Sequence, residues 1–278
     1  MKFSLDRRQL LASMALDATS GTPAQPATSL GAAPPHADLA LKLMIVGRRR
    51  SGTTLAEHRH YIRRVHGELV MQNIAADPVN APRRYVQNPV FDGTFRTADA
   101  GAADPFALNR DFVTQIWFPD PLSMERARQS AFYLEKVKHD EDNFVDQASV
   151  IFMPVRERVI GGAAAPANQR VKLFGFLQRS SGAAPDDFRR AWGAAPWAAG
   201  DSAGVLRYAQ NDTLPTPMGS PLVDGIDEFW FDDEADARIF HLRWEAWVSE
   251  ELVRPGLVPE ARHFVLLAHE DVIHAGPR

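Results

Sequence analysis

The chain contains no cysteine in 278 residues. That absence excludes a disulfide framework, a thiolate nucleophile and a zinc–thiolate site, and it leaves the cellular compartment open. No apolar run approaches the ~18 residues that could cross a bilayer, so neither a membrane-spanning chain nor a membrane partner is expected. There is no excess of positive charge: the formal net charge is −4, whereas a nucleic-acid binder usually carries a basic stripe to neutralise phosphates. The glycine patterns of a dinucleotide fold or phosphate loop are missing, as is the Gly-x-Ser-x-Gly elbow of a serine hydrolase. His58 and His60 are close in sequence, but positions two apart on a helix diverge, so the pair does not form a metal site. No metal and no cofactor are expected.

What the sequence does contain is a repeat. Leu43-Met-Ile-Val-Gly-Arg-Arg-Arg-Ser-Gly52 is echoed by Leu173-Phe-Gly-Phe-Leu-Gln-Arg-Ser-Ser-Gly182, 130 residues on. Arg84-Tyr-Val-Gln-Asn88 returns as Arg207-Tyr-Ala-Gln-Asn211 at an offset of 123, and Thr114-Gln-Ile-Trp-Phe118 as Asp227-Glu-Phe-Trp-Phe231 at 113. Glu157-Arg-Val-Ile160 and Glu270-Asp-Val-Ile273 match at 113 again. Four matches in one chain order predict a duplication, with the second copy shorter between its strands.

Each copy has the same reading. In the first, a strand over 42–48 is closed by Ser51-Gly52, and a helix over about 54–72 follows with Thr53 or Thr54 as its cap. Strands at Arg84–Asn88 and Phe112–Phe118, a helix from about 120 and a strand at 149–159 complete the unit. The expected fold class is α+β: two fused β-α-β-β-α-β ferredoxin-like repeats. The sheet face away from the helices must be covered, and a second sheet of the same kind can do so. The expected divisions are residues 1–38 as an export signal or disordered extension, 39–162 as the first repeat and 168–276 as the second. The first segment carries Arg7-Arg8 before Gln9-Leu10-Leu11, which resembles a twin-arginine export signal, although Asp17 interrupts the apolar stretch. The expected location is periplasmic if that signal operates and cytoplasmic otherwise.

In order, the helix ending Tyr61-Ile-Arg-Arg-Val-His66-Gly-Glu-Leu-Val, the Arg-Tyr-x-Gln-Asn strand, the Trp-Phe-x-Asp turn and the Asp140-Glu-Asp-Asn-Phe144 stretch resemble the EthD family. The resemblance covers nearly all of residues 41–275, once per repeat. It implies a dimeric α+β barrel, here completed within one chain, with the pocket inside the barrel. It also implies dehydratase, decarboxylase or cyclase chemistry on aromatic polyketides, commonly without metal or organic cofactor. His66 resembles the histidine that closes the first helix in such proteins.

The residues supply candidate roles. Leu55, Ile62 and Leu69 form the apolar stripe of the first helix, and His58 and His66 lie within roughly 40° of its centre, so both imidazoles should point inward. His60 lies on the opposite, solvated side. At an offset of 130 the second copy has Phe188 for His58 and Pro196 for His66, which predicts one working site and not two. His66 is the expected general acid/base, since imidazole exchanges protons near neutrality; a hydrogen-bonded structural histidine is the competing reading. Strand alternation puts Tyr85 with Gln87, and Tyr208 with Gln210, on one face, expected to be the barrel interior, where they would orient substrate oxygens. Gln115 with Trp117, and Glu228 with Trp230, share faces that would suit a flat ring. Glu228 is the candidate second acid/base, because an apolar pocket raises a carboxyl pKa; the competing reading for Glu228 and Asp227 is a solvated strand-edge charge. His241 and His263 are expected to be structural or exposed.

The expected activity is therefore that of a cofactor-independent lyase, by decarboxylation, dehydration, aldol-type cleavage or ring closure, on a small aromatic, phenolic or polyketide-like molecule. Two alternatives remain at this level. One is a haem protein, with His66 as axial ligand, or a cofactor-free monooxygenase of the same barrel type. The other is a non-catalytic binder, favoured if aromatic side chains fill the barrel. Either a monomer or a homodimer is compatible with the sequence.

Overall fold

The computed structural model describes residues 41–94, 106, 108–162, 170–199, 204–215 and 221–276; the expected N-terminal segment 1–38 lies outside them. Among the described residues no helix is long and apolar enough to cross a membrane. The first half runs β1 (Leu41–Gly47), α1 (Leu55–Tyr61), a π turn (Ile62–His66) continuing into α2 (Gly67–Ala76), β2 (Arg84–Thr94), β3 (Phe112–Phe118), α3 (Pro121–Gln129), a second π turn (Tyr133–Val137) leading to α4 (Lys138–Asp140), and β4 (Ile151–Gly162). The second half runs β5 (Val171–Leu177), α5 (Pro185–Gly193), β6 (Arg207–Thr213), β7 (Gly225–Phe231), α6 (Glu234–Trp247), β8 (His263–His269) and β9 (Asp271–His274).

Local chemistry explains the boundaries. The β1 to α1 turn passes through Gly52 at φ 86°, a left-handed conformation that glycine adopts without steric cost. Thr54 then caps α1 as a full capping box: its hydroxyl accepts from the Glu57 N–H, and its own N–H donates to the Glu57 carboxylate at 2.8 Å. The helix runs past the expected end at 72, to Ala76, and a π turn interrupts it midway. β2 runs past the expected Asn88 to Thr94, because beyond a bulge between Val90 and Asp92 it pairs with β8 of the other half.

That pairing closes the molecule. The strands follow the order β3-β1-β4-β6-β7-β5-β8-β2, and β2 pairs β3 again, so eight antiparallel strands form a ring with β9 added outside β2. Full closure leaves these eight strands without a free edge. Each half contributes four neighbours, β4-β1-β3-β2 and β8-β5-β7-β6, and the halves meet at β4–β6 and β2–β8. Inside the ring, Met44, Val46, Phe174, Phe176, Phe264 and Leu266 pack into one cluster drawn from both halves. Outside it the helices cover the opposite strand faces, with Leu41 and Leu43 against Met124 and Ala127 in the first half. In the second half a larger cluster of Trp192, Trp197, Phe229, Phe240 and Trp244 fills the corresponding space. Both faces of β1, β3, β5, β7 and β8 are thus almost wholly buried, and this decides how the site can be read.

Candidate functional site

The π turn of the first helix places His66. A π turn closes an i to i+5 bond, and here the Gly67 N–H reaches Ile62 O. The same carbonyl accepts from Gln87 Nε2 at 2.6 Å, and that amide also donates to the Tyr85 hydroxyl at 2.7 Å. Tyr85 clusters with Val70, Tyr133 and Val137 of the helical layer. Tyr85 and Gln87 therefore face the helix, not the barrel interior expected for them, and they pin the turn that carries His66. The second half repeats the arrangement: Gln210 Nε2 donates to Trp192 O at 3.1 Å, and Tyr208 packs on Phe229 on the helix side. The expected interior placement of Tyr208 and Gln210 is corrected in the same way. The residues between them, Val86 with Asn88 and Ala209 with Asn211, look into the barrel.

His66 is buried, with its side chain a tenth exposed, and its Nδ1 lies 2.9 Å from Asp140 Oδ2. Against a carboxylate Nδ1 carries the proton, leaving Nε2 with the lone pair. The other carboxylate oxygen of Asp140 accepts from the Tyr61 hydroxyl at 2.6 Å and from Asn143 Nδ2 at 3.3 Å. Burial pushes the Asp140 carboxyl up, but the hydrogen bonds from His66, Tyr61 and Asn143 outweigh it and hold the group below the usual carboxylate range. Asp140 therefore stays ionised and orients the imidazole. Phe144 lies against the His66 ring at a centroid distance of 4.7 Å.

One turn earlier on the same helix face, Ile62 and Arg63 line a cavity of about 160 Å³, together with His58, Arg59, Gln87, Asn88 and Phe112. His58 is 2% exposed and stacks on Phe112 at 5.5 Å. Burial pushes its pKa down to about 4, so the ring is neutral. At the cavity's rim the half-exposed Arg63 and Asp271 form an ion pair at 2.5 Å. This cavity lies between helix and sheet, outside the barrel wall. A haem does not fit it: about 160 Å³ falls below the ~300 Å³ at which sites for drug-sized ligands begin, and a porphyrin is larger still. Among the described residues no three His, Asp or Glu side chains converge as metal ligands.

The barrel interior holds a different arrangement. Glu228 is fully buried and is bound by Lys42 Nζ at 2.6 Å, Lys172 Nζ at 2.9 Å and Gln115 Nε2 at 2.8 Å. Burial alone would raise its carboxyl, but Lys172 and Lys42 hold it far below the carboxylate range. The expected proton-holding acid is therefore a permanent anion, and the strand-edge reading fails as well. Trp117 and Trp230 do face inward as expected, but each indole is flanked by cations: Lys42 and Arg84 for the first, Lys172 and Arg207 for the second, at 4.7 to 5.3 Å. Asp227 is equally buried, on the helix face, where it accepts from Trp192, Tyr208 and Trp244 at 2.7 to 2.8 Å. Burial pushes it up to about 6 in spite of those donors. His263 is buried beside Glu245 at 3.1 Å and His241 lies 3.5 Å from the same carboxylate, in keeping with structural roles.

Asp140 as the partner of His66 was missed, although it lay within the stretch that carried the family resemblance. Lys42 and Lys172 were missed too, and the available signal was that a Lys-Leu pair recurs at the offset of 130.

These elements define an α+β barrel of the dimeric type, closed within a single chain. Residues 50–148 match the profile of the EthD domain, and the first half of the chain carries that domain. Among solved structures, a protein described as anthrone oxidase-like superposes with a TM-score of 0.52 at 11% identity, over 87% of this chain and 95% of its own. A candidate monooxygenase from Lactobacillus acidophilus gives 0.47 at 11% identity, over 86% of this chain and 97% of its own. A variant chlorite dismutase from Candidatus Nitrospira defluvii gives 0.46 at 9%, over 84% and 93%. Likeness at such identity speaks for fold and not for chemistry. No curated protein sequence matches the chain.

Proposed function

We propose that the chain is a small-molecule enzyme that transfers protons with His66 and acts as a cofactor-independent lyase on a small aromatic or phenolic substrate. The observation that carries this reading is the buried His66 Nδ1 to Asp140 Oδ2 contact of 2.9 Å: a carboxylate behind an imidazole fixes its tautomer and stabilises the imidazolium that forms when Nε2 takes a proton. The EthD domain over residues 50–148 supports it. For a hydroxylated aromatic acid, the imidazolium delivers a proton to the ring carbon bearing the carboxylate while the phenol oxygen absorbs charge. The carbon–carboxylate bond then breaks, its electron pair restores the ring, carbon dioxide leaves, and solvent reprotonates the imidazole. We also propose that residues 39–162 and 168–276 are two copies of one ferredoxin-like unit, on the strength of their shared element order and of Gln87 and Gln210 bonding corresponding helix carbonyls.

The test is incubation of the protein with a panel of hydroxybenzoates in deuterated water, followed by NMR of the ring carbons. Deuterium should appear where the carboxylate was. The His66→Ala variant should be slower by ~10²-fold or more, the range of general acid–base contributions, with an unchanged circular dichroism spectrum; Asp140→Asn should lose rate as well. Turnover undiminished in His66→Ala would overturn the reading, and so would inertness across the panel, which would leave a binder.

A further inference from the structure

The cavity beneath the first helix collects buried polar atoms that have no partner. Among the described residues neither ring nitrogen of His58 has a hydrogen-bond partner, and the same holds for Arg59 Nε, all of them buried. His58 and Arg59 line the one cavity. Leaving such a group unmade costs about 1–3 kcal/mol, so native proteins satisfy nearly all of them; several around one space mark a place that a ligand completes. The apolar part of the lining is Phe112, Pro89 and Ile62, with the Phe112 ring stacked on His58. The second half shows the contrast. At the offset of 130 Phe188 replaces His58 and Trp192 replaces Ile62, and Gly225 stands where the first half has Phe112, at an offset of 113. The Trp192 indole fills the space over Gly225, whose added Cβ would meet it at 2.8 Å.

We infer that this cavity is a binding site for a single hydroxylated six-membered aromatic ring, held against Ile62, Pro89 and Phe112, with its hydroxyl bonded to His58. Size and chemistry both limit the ligand. An apolar cavity of about 150 Å³ accepts benzene, so the ~160 Å³ here takes one ring with a small substituent and excludes fused ring systems. A neutral imidazole offers one N–H donor and one lone pair, which match a hydroxyl that both accepts and donates. Arg59 Nε adds a further donor. The Arg63–Asp271 pair closes the rim over the ring. This deepens the reading above by naming the size and polarity of the substrate, and it rests on that reading only for the claim that what binds is turned over.

The experiment is calorimetric titration of the full chain with phenol, toluene and 2-naphthol. Phenol should bind saturably at one site, toluene should be weaker by about tenfold or more through the missing hydroxyl, and 2-naphthol should not bind. His58→Phe, which installs the residue found in the second half, should weaken phenol by about tenfold or more and bring it level with toluene. His58→Gln, which keeps a donor and an acceptor, should stay within about threefold of the wild type. In His66→Ala phenol binding should persist, so that loss of turnover there tests the proton-transfer reading alone. Equal binding of phenol and toluene, unaltered phenol binding in His58→Phe, or no saturable phenol binding would overturn the inference.

Discussion

Replacing His58 by Phe should remove a pH liability from the fold. The folded chain holds this imidazole neutral, because burial depresses its pKa from 6.5 to about 4, whereas the unfolded chain protonates it freely below 6.5. The sign follows from linkage: the stability that neutral His58 allows is fully present above pH 6.5, declines as pH falls, and is lost by the time pH passes below about 4. At about 1.4 kcal/mol per pKa unit the full loss is roughly 3 kcal/mol, and about 2 kcal/mol of it is gone at pH 5. That is a large part of the 5–15 kcal/mol that holds a typical domain folded. Urea unfolding at pH 7.5, 6.0 and 5.0 measures it, read as the difference between the two proteins so that other groups cancel. Wild type should lose about 2 kcal/mol more than His58→Phe between pH 7.5 and 5.0. Parallel curves would refute the reasoning, since they would mean that the imidazole is solvated or paired in the folded chain.

Two further substitutions test the packing on either side of the barrel wall. Glu228→Gln removes the anion shared by Lys42 and Lys172 inside the barrel and leaves each lysine only its second carboxylate, Glu157 or Glu270; it should destabilise by about 1–3 kcal/mol, the cost of taking one partner from a buried donor, and thermal melts at pH 7 would show it. Gly175→Ala places a Cβ 2.3 Å from the Trp244 ring, and should cost about 1–3 kcal/mol through overpacking, seen as a lower urea midpoint with an unchanged slope.

The order of elements was legible because each boundary has a local cause: the Thr54 box, the Gly52 turn, the alternation of β3 over the full Phe112–Phe118. The facing of the Arg-Tyr-x-Gln-Asn strands was not. Alternation identifies two faces, and assigning them needs one to be dry and the other wet, but in a closed barrel covered by helices both are dry. Tyr85, Gln87, Tyr208 and Gln210 were assigned to the interior, with the small apolar Val86 and Ala209 on the opposite face as suited to packing against helices. The actual rule was set by partners across the barrel: Asn88 meets Gln115 and Asn211 meets Lys42, while Tyr85 and Gln87 meet the π turn. For the same reason Glu228 was read as an isolated acid. Its two lysines come from β1 and β5, 186 and 56 residues away, and no local pattern ties them to it. His66 was legible because its inward aspect depends only on helical spacing; Asp140 was not assigned to it because the contact spans 74 residues.

The two halves divide their work through the same layer of space. Between helix and sheet in the second half, Trp192 and Trp244 both donate to Asp227, and Gly175 and Gly225 give their rings room to lie flat on the strands. In the first half the corresponding strand positions carry Ile45 and Phe112, and Thr114 replaces Asp227. The indoles are absent there, and a cavity with unpaired imidazole nitrogens stands in their place. A barrel built from two such halves lets one close its layer entirely with aromatic packing. The other half can then keep an unfilled space and unsatisfied polar atoms, features that each cost stability. Because the strands of both halves are hydrogen-bonded into one ring, the stability of the packed half supports the open one.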